Sequence, residues 1–78
     1  MRIYPNPAKD KIAFIASDFS GDCDVIIYDA SGKLIQTARL NTQLGEEKSI
    51  DISSFNTGIY QLTIRTQTGQ TNLKFIKN

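Results

Sequence analysis

The sequence has no histidine and no tryptophan, and it holds one cysteine, Cys23, and two prolines, Pro5 and Pro7. Without histidine there is no Ser–His–Asp triad and no Cys–His pair, so nucleophilic catalysis of either kind is excluded. Cys/His zinc sites are excluded for the same reason. A single cysteine allows no internal disulfide, so the chain either occupies a reducing compartment or holds together outside without a staple. No glycine-rich phosphate loop occurs, and no two acidic residues pair across a predicted cleft. Nine Lys and Arg against eight Asp and Glu leave a net charge of +1 with no basic run, so nucleic acid is not an indicated partner. No apolar run approaches the ~20 residues of a membrane-spanning helix, and no direct membrane insertion is expected. Residues 1–5 hold no signal-peptide core; a chain acting outside the cell would carry its signal on a longer parent.

At 78 residues the chain is one domain at most. A domain this small buries only ~60–65% of its unfolded surface. Nearly every large apolar side chain is therefore needed in the core, and little is left to line a ligand pocket.

Helical spacing of apolar residues is missing, and two-residue alternation takes its place. Ile12, Phe14 and Ala16 alternate with Lys11, Ala13 and Ile15; Val25 and Ile27 with Ile26 and Tyr28. Tyr60, Leu62 and Ile64 share one face of the clearest run, with Gln61, Thr63 and Arg65 on the other. Leu73 and Phe75 alternate with Lys74 and Ile76, Ile50 and Ile52 form a weaker pair, and in 33–40 either face could point inward. Asp29-Ala30-Ser31-Gly32 predicts a type I turn followed by a left-handed residue, and Thr66-Gln67-Thr68-Gly69 has the same spacing; both predict hairpins. Ser20–Asp22 and Asn41–Glu46 are expected loops, and 53–58 a crossing segment with room for one tight helical turn. Residues 2–4 predict a short edge strand. Pro5 and Pro7 are expected to end its pairing, with Asn6-Pro7-Ala8-Lys9 forming a type I turn. This gives about seven short strands, which bury an apolar face only as two packed antiparallel sheets, an all-β sandwich.

Three segments carry a more specific likeness: Tyr4-Pro5-Asn6-Pro7 with Ala8 and a strand after it; Ile27-Tyr28-Asp29-Ala30-Ser31-Gly32-Lys33-Leu34; and Gly58-Ile59-Tyr60-Gln61-Leu62-Thr63-Ile64, followed after Gly69 by Lys74-Phe75-Ile76-Lys77. In this order and spacing, over nearly the whole chain, the sequence resembles the C-terminal sorting domain of the type IX secretion system. The resemblance implies an immunoglobulin-like seven-strand sandwich that folds in the periplasm and is recognised by an outer-membrane translocon with its shuttle and sortase proteins. It implies that a cysteine-dependent sortase removes the domain and that the cargo before it is released or attached to a surface glycolipid. The domain would be excised from a larger secreted protein. Almost nothing precedes Ile3, so the linker that would hold the cleavage site is not placed.

Each of these residues also has a plain structural reading. Tyr4, Pro5, Asn6 and Pro7 make a rigid approach to the first full strand; the resemblance adds a surface read by the machinery. Gly32 supplies a positive φ, and Lys33 is an exposed strand start or a contact. Gly58 permits a close backbone approach. Tyr60 packs with its hydroxyl near the rim. Lys74 and Lys77, with Phe75, Ile76 and Asn78, are either an edge strand protected by charge or a tail offered to a receptor by strand addition. Such an edge can also pair with a copy of itself. Asp18, Asp22 and Asp24 lack calcium-loop spacing and are expected in a solvated loop. Cys23 is expected as a small buried apolar residue or an accidental thiol. No enzyme activity and no cofactor are expected. The alternative function is an accessory module for carbohydrate binding or adhesion, which a coplanar pair of exposed aromatics would favour.

Overall fold

Alternation of apolar and polar residues produces strands wherever it is regular. The computed structural model describes residues 3–78. Its strands are β1 (Ile3–Tyr4), β2 (Lys11–Ile15), β3 (Gly21–Asp29), β4 (Leu34–Thr42), β5 (Glu47–Asp51), β6 (Gly58–Thr66) and β7 (Gly69–Lys77). Arg2, expected in the first strand, lies outside the described residues. The strands form two antiparallel sheets, ordered β1-β2-β5 and β4-β3-β6-β7. The chain is an all-β, immunoglobulin-like sandwich.

The core is the set of inward positions of both sheets. Ile12, Phe14, Ile50 and Ile52 come from the smaller sheet and its margin; Cys23, Val25, Ile27, Tyr60, Leu62, Ile64 and Phe75 come from the larger. On β4 the inward positions are Gln36, Ala38, Leu40 and Thr42, so Leu34 and Ile35 are exposed. A register shift opposite Ile27 and Tyr28 separates these two groups. Ala13 is buried although it faces outward. It lies opposite Tyr4 in register, and the Tyr4 hydroxyl donates to Glu47 Oε2 on β5, two strands away. The Tyr4 ring thus crosses β2 above Ala13, where a larger side chain would obstruct it.

The expected loops at 20–22 and 41–46 are shorter than predicted, because Gly21, Asp22, Asn41 and Thr42 are strand. Gly21 and Asp22 pair with Thr42 and Asn41. That extension is held by the Thr42 hydroxyl donating to the Gly21 carbonyl at 3.1 Å and by the Asn41 amide donating to Asp22 Oδ1 at 2.8 Å. The 53–58 segment makes one turn, Phe55 N–H to Ile52 C=O at 3.0 Å, and no helix. The second hairpin is tight, with Thr66 paired to Gly69 across Gln67 and Thr68.

Candidate functional site

The largest departure from expectation is at the two prolines. The peptides before Pro5 and Pro7 are cis, and no turn bond closes over Asn6–Lys9. The pairing of β1 ends at Tyr4 as expected, but the chain pairs again, with the other sheet, directly after the prolines. The Ala8 N–H donates to the Ile76 carbonyl at 2.7 Å, and the Asn78 N–H donates to the Ala8 carbonyl at 2.8 Å, forming a parallel bridge between Ala8 and Lys77. One step earlier, the Ile76 N–H donates to Asn6 Oδ1 at 2.9 Å. The chain leaves the smaller sheet after β1, touches the larger sheet along β7, and returns to the smaller sheet as β2. Ala8, fully buried, anchors the crossing.

Beside this seam lies the start of β6. Gly58 pairs with Lys77 and Tyr60 with Phe75. The Tyr60 hydroxyl donates to the Asn56 carbonyl four residues back, at 2.6 Å, the arrangement that fixes a strand-F corner in immunoglobulin-like sandwiches. Its ring stacks on Phe75 at 5.4 Å between centroids and 16° between planes, and meets Phe55 at 5.1 Å. Gly58 does not serve a close approach, because a Cβ added there meets nothing within 4 Å.

The β3–β4 turn completes the end. Asp29 Oδ1 accepts from the Ser31 N–H, the Ser31 hydroxyl and the Lys33 N–H, at 2.9, 2.6 and 3.0 Å. These bonds, the Ser31 hydroxyl first and the Lys33 backbone next, hold the Asp29 carboxyl below the usual aspartate range. Gly32 has φ +89°, the left-handed residue the spacing requires. A shallow groove runs between this turn and the β5–β6 crossing, lined by Asp29, Ala30, Ser31, Asn56, Thr57 and Gly58.

Strand direction therefore gathers the three sequence segments. β3 ends, β4 and β6 begin, and β7 ends at the same pole of the sandwich, where Pro5–Ala8 crosses between sheets. Tyr4, Pro5, Asn6, Pro7, Gly32, Lys33, Gly58, Tyr60 and Lys74–Asn78 all lie at or close to it. Pro5, Asn6, Pro7, Gly32, Lys33, Lys74, Ile76 and Asn78 are exposed. Tyr60, Phe75 and Lys77 are buried and form the floor. Lys77, expected as an exposed charge, is only 8% exposed, with its ammonium donating to the Asn78 carbonyl at 2.9 Å. An odd-numbered β7 residue faces the core, and the long side chain reaches the rim from there. Sequence reasoning missed Ala8 and Phe55; an alanine after Pro and a loop phenylalanine give no periodic signal.

The remaining candidates lie elsewhere. Asp22 and Asp24 are on β3 and pair across to Asn41 and Arg39, so the expected acidic loop is largely strand. Among the described residues no group of three or more Cys, Asp and Glu converges as a metal site. Cys23 is buried on the inner face, and burial pushes its thiol pKa up. The one near-parallel aromatic pair, Tyr60 and Phe75, is internal, and no aromatic among the described residues is fully exposed.

Fold and site together define a class: a small immunoglobulin-like sandwich whose two termini and one turn are joined into a single polar surface. The family model for the secretion system C-terminal sorting domain matches residues 2–78, and the chain belongs to that family. It is a type IX sorting-signal domain, of a kind that marks proteins for export to the cell surface or beyond. The family is one of signals, not of catalysts. No curated protein and no solved structure matches the chain.

Proposed function

We propose that the pole built by Tyr4–Pro7, Gly32, Lys33, Gly58 and Lys74–Asn78 is the surface read by the type IX machinery. The outer-membrane translocon and its shuttle would bind this face after the domain folds in the periplasm. A sortase would then remove the whole of residues 1–78 from the cargo fused before it. Tyr60, Phe75 and Lys77 act from beneath by fixing the backbone, and the domain performs no chemistry of its own. The observation that carries this reading is the seam: the opening segment is hydrogen-bonded to the tail, so the first and last motifs of the family form one surface.

Fusing residues 1–78 behind a periplasmic reporter, in a host that has the secretion system, tests it. The reporter is expected outside the cell. It is expected to stay inside when residues 74–78 are removed or when Lys33 and Lys74 are both changed to Glu. The double variant touches only exposed side chains, and its circular dichroism should match the parent. Retention of the intact fusion would overturn the reading. Normal export of the folded double variant would move recognition away from this pole.

A further inference from the structure

The outer face of the larger sheet divides into two halves. Away from the pole its polar side chains satisfy one another: Arg39 pairs with Asp24 at 3.0 Å, the Asn41 amide donates to Asp22, and the Thr63 hydroxyl donates to Asn72. Toward the pole the pattern changes. Leu34, Tyr28, Gln61 and Lys74 lie in one row across the four strands, and Ile59 faces Ile76 in the next. Residues opposed in this way have Cβ atoms about 5 Å apart, so Ile59 and Ile76 form one apolar ridge. They are 48% and 43% exposed. Of the six large apolar side chains exposed among the described residues, four belong to this end: Leu34, Ile35, Ile59 and Ile76.

The charges around the ridge are of one sign. Lys74 stands in the row beside it and Lys33 precedes Leu34; both are exposed, and neither is in an ion pair among the described residues. The carboxylate of the nearby turn, Asp29, is in the inward row opposite Tyr60, and its Oδ1 already accepts three bonds. The carboxylates of the outer face, Asp22 and Asp24, are in the other half. An anionic bilayer laid flat on the sheet would therefore meet carboxylates as well as lysines. Two copies of the ridge half, apposed, gain no ion pair. A compact anionic protein surface covering that half alone meets lysines and no opposing carboxylate.

We propose that this ridge anchors an apolar surface edged with carboxylates on a protein of the secretion machinery. The proposal rests on the reading of the pole as the surface the machinery recognises, and it extends that surface from the seam onto the sheet face. Ile59 and Ile76 form the centre, Leu34 and Tyr28 one side, and Lys33 and Lys74 the margin. Membership in a sorting-signal family supplies the partner, the export machinery in general, and the charge pattern supplies its chemistry. Covering the two isoleucines contributes affinity, while the lysines orient the encounter and disfavour basic surfaces.

The reporter fusion of residues 1–78 tests it. Ile59→Thr with Ile76→Thr keeps β-branched residues at exposed strand positions, so circular dichroism and the urea midpoint should match the unaltered domain. Export should fall about tenfold or more, as for loss of a central apolar anchor. Ile15→Thr with Leu44→Thr removes comparably exposed apolar groups at the far end and should leave export unchanged. Gln61→Glu and Gln61→Lys differ only in the charge set beside Lys74, and export through Gln61→Glu should be about threefold lower or less. Retention of the unaltered fusion would overturn the reading of the pole and this proposal with it. Export of the unaltered fusion together with normal export of the folded isoleucine variant, or equal export of the two Gln61 variants, would overturn the sheet-face anchor alone. Neither cosedimentation of the purified chain with vesicles of phosphatidylcholine and phosphatidylglycerol nor its self-association should depend on Ile59 and Ile76. Dependence of either would give the ridge a different occupant and overturn the proposal.

Discussion

Asn6 and Ile76 stand at opposite ends of the chain, and the side-chain carbonyl of one accepts the backbone N–H of the other at 2.9 Å. Between Pro5 and Pro7, the short Asn6 side chain supplies the acceptor that a neighbouring strand would otherwise offer the Ile76 N–H. The bond also satisfies an outward-facing amide of an edge strand.

Asn6→Ala is expected to destabilise the domain by about 1 kcal/mol, the usual net worth of such a bond. For a domain of this size that lowers Tm by roughly 4–8 °C. Asn6→Asp, which keeps an acceptor, should recover most of the loss. Hydrogen exchange gives the local readout: the amides of Ala8, Ile76 and Asn78 should lose protection first in Asn6→Ala, while those of β3 stay protected.

Tyr60→Phe keeps the stack with Phe55 and Phe75 and removes only the bond to Asn56. A loss of about 1 kcal/mol is expected. Tyr60→Ala empties a buried site between two rings and should cost about 3–5 kcal/mol, a large share of the stability of so small a domain. Chemical denaturation of the two variants separates the hydroxyl from the ring.

Gly32→Ala places a side chain at φ +89° with open space around it, so the cost is conformational and not steric. About 1–2 kcal/mol is expected, with Gly32→Asn closer to the parent, since Asn tolerates this region best. Equilibrium unfolding in urea measures both.

Acid should weaken the fold through three carboxylates. Asp29 is held low by the Ser31 hydroxyl, Asp51 by the Ser53 N–H, and Glu46 by the Gln43 N–H with Lys48 beside it. A folded-state pKa below the unfolded value stabilises above the unfolded pKa, near 4, and that contribution is lost as pH falls through the folded value. The urea midpoint should be level from neutral pH to about 5 and decline below about 4. Asp29→Asn should lower the neutral midpoint and flatten part of the decline.

What could be read from the sequence was whatever repeats with a period of two or depends on one residue's φ. The inward faces of β2, β3, β6 and β7 and the left-handed Gly32 were legible on those grounds. The strand limits at Gly21–Asp22 and Asn41–Thr42 were not, because polar side chains bonding across the ladder look like loop residues in one dimension. The orientation of β4 depended on a register shift that leaves no compositional trace. Lys77 was misplaced because its charge suggested solvent, while strand parity turned it inward. The seam was illegible for a simpler reason. Its partners are some 70 positions apart, and the two prolines that signal a break in one sheet sit where the chain crosses to the other.

The parallel direction of that seam has a mechanical consequence. A load applied through the opening segment and opposed at residues 76–78 would pull the two stretches in opposite directions. Two parallel stretches drawn from opposite ends slide against each other, so the bonds at Asn6, Ala8 and Asn78 are strained together instead of opening one by one. The seam is thus loaded in shear along its length.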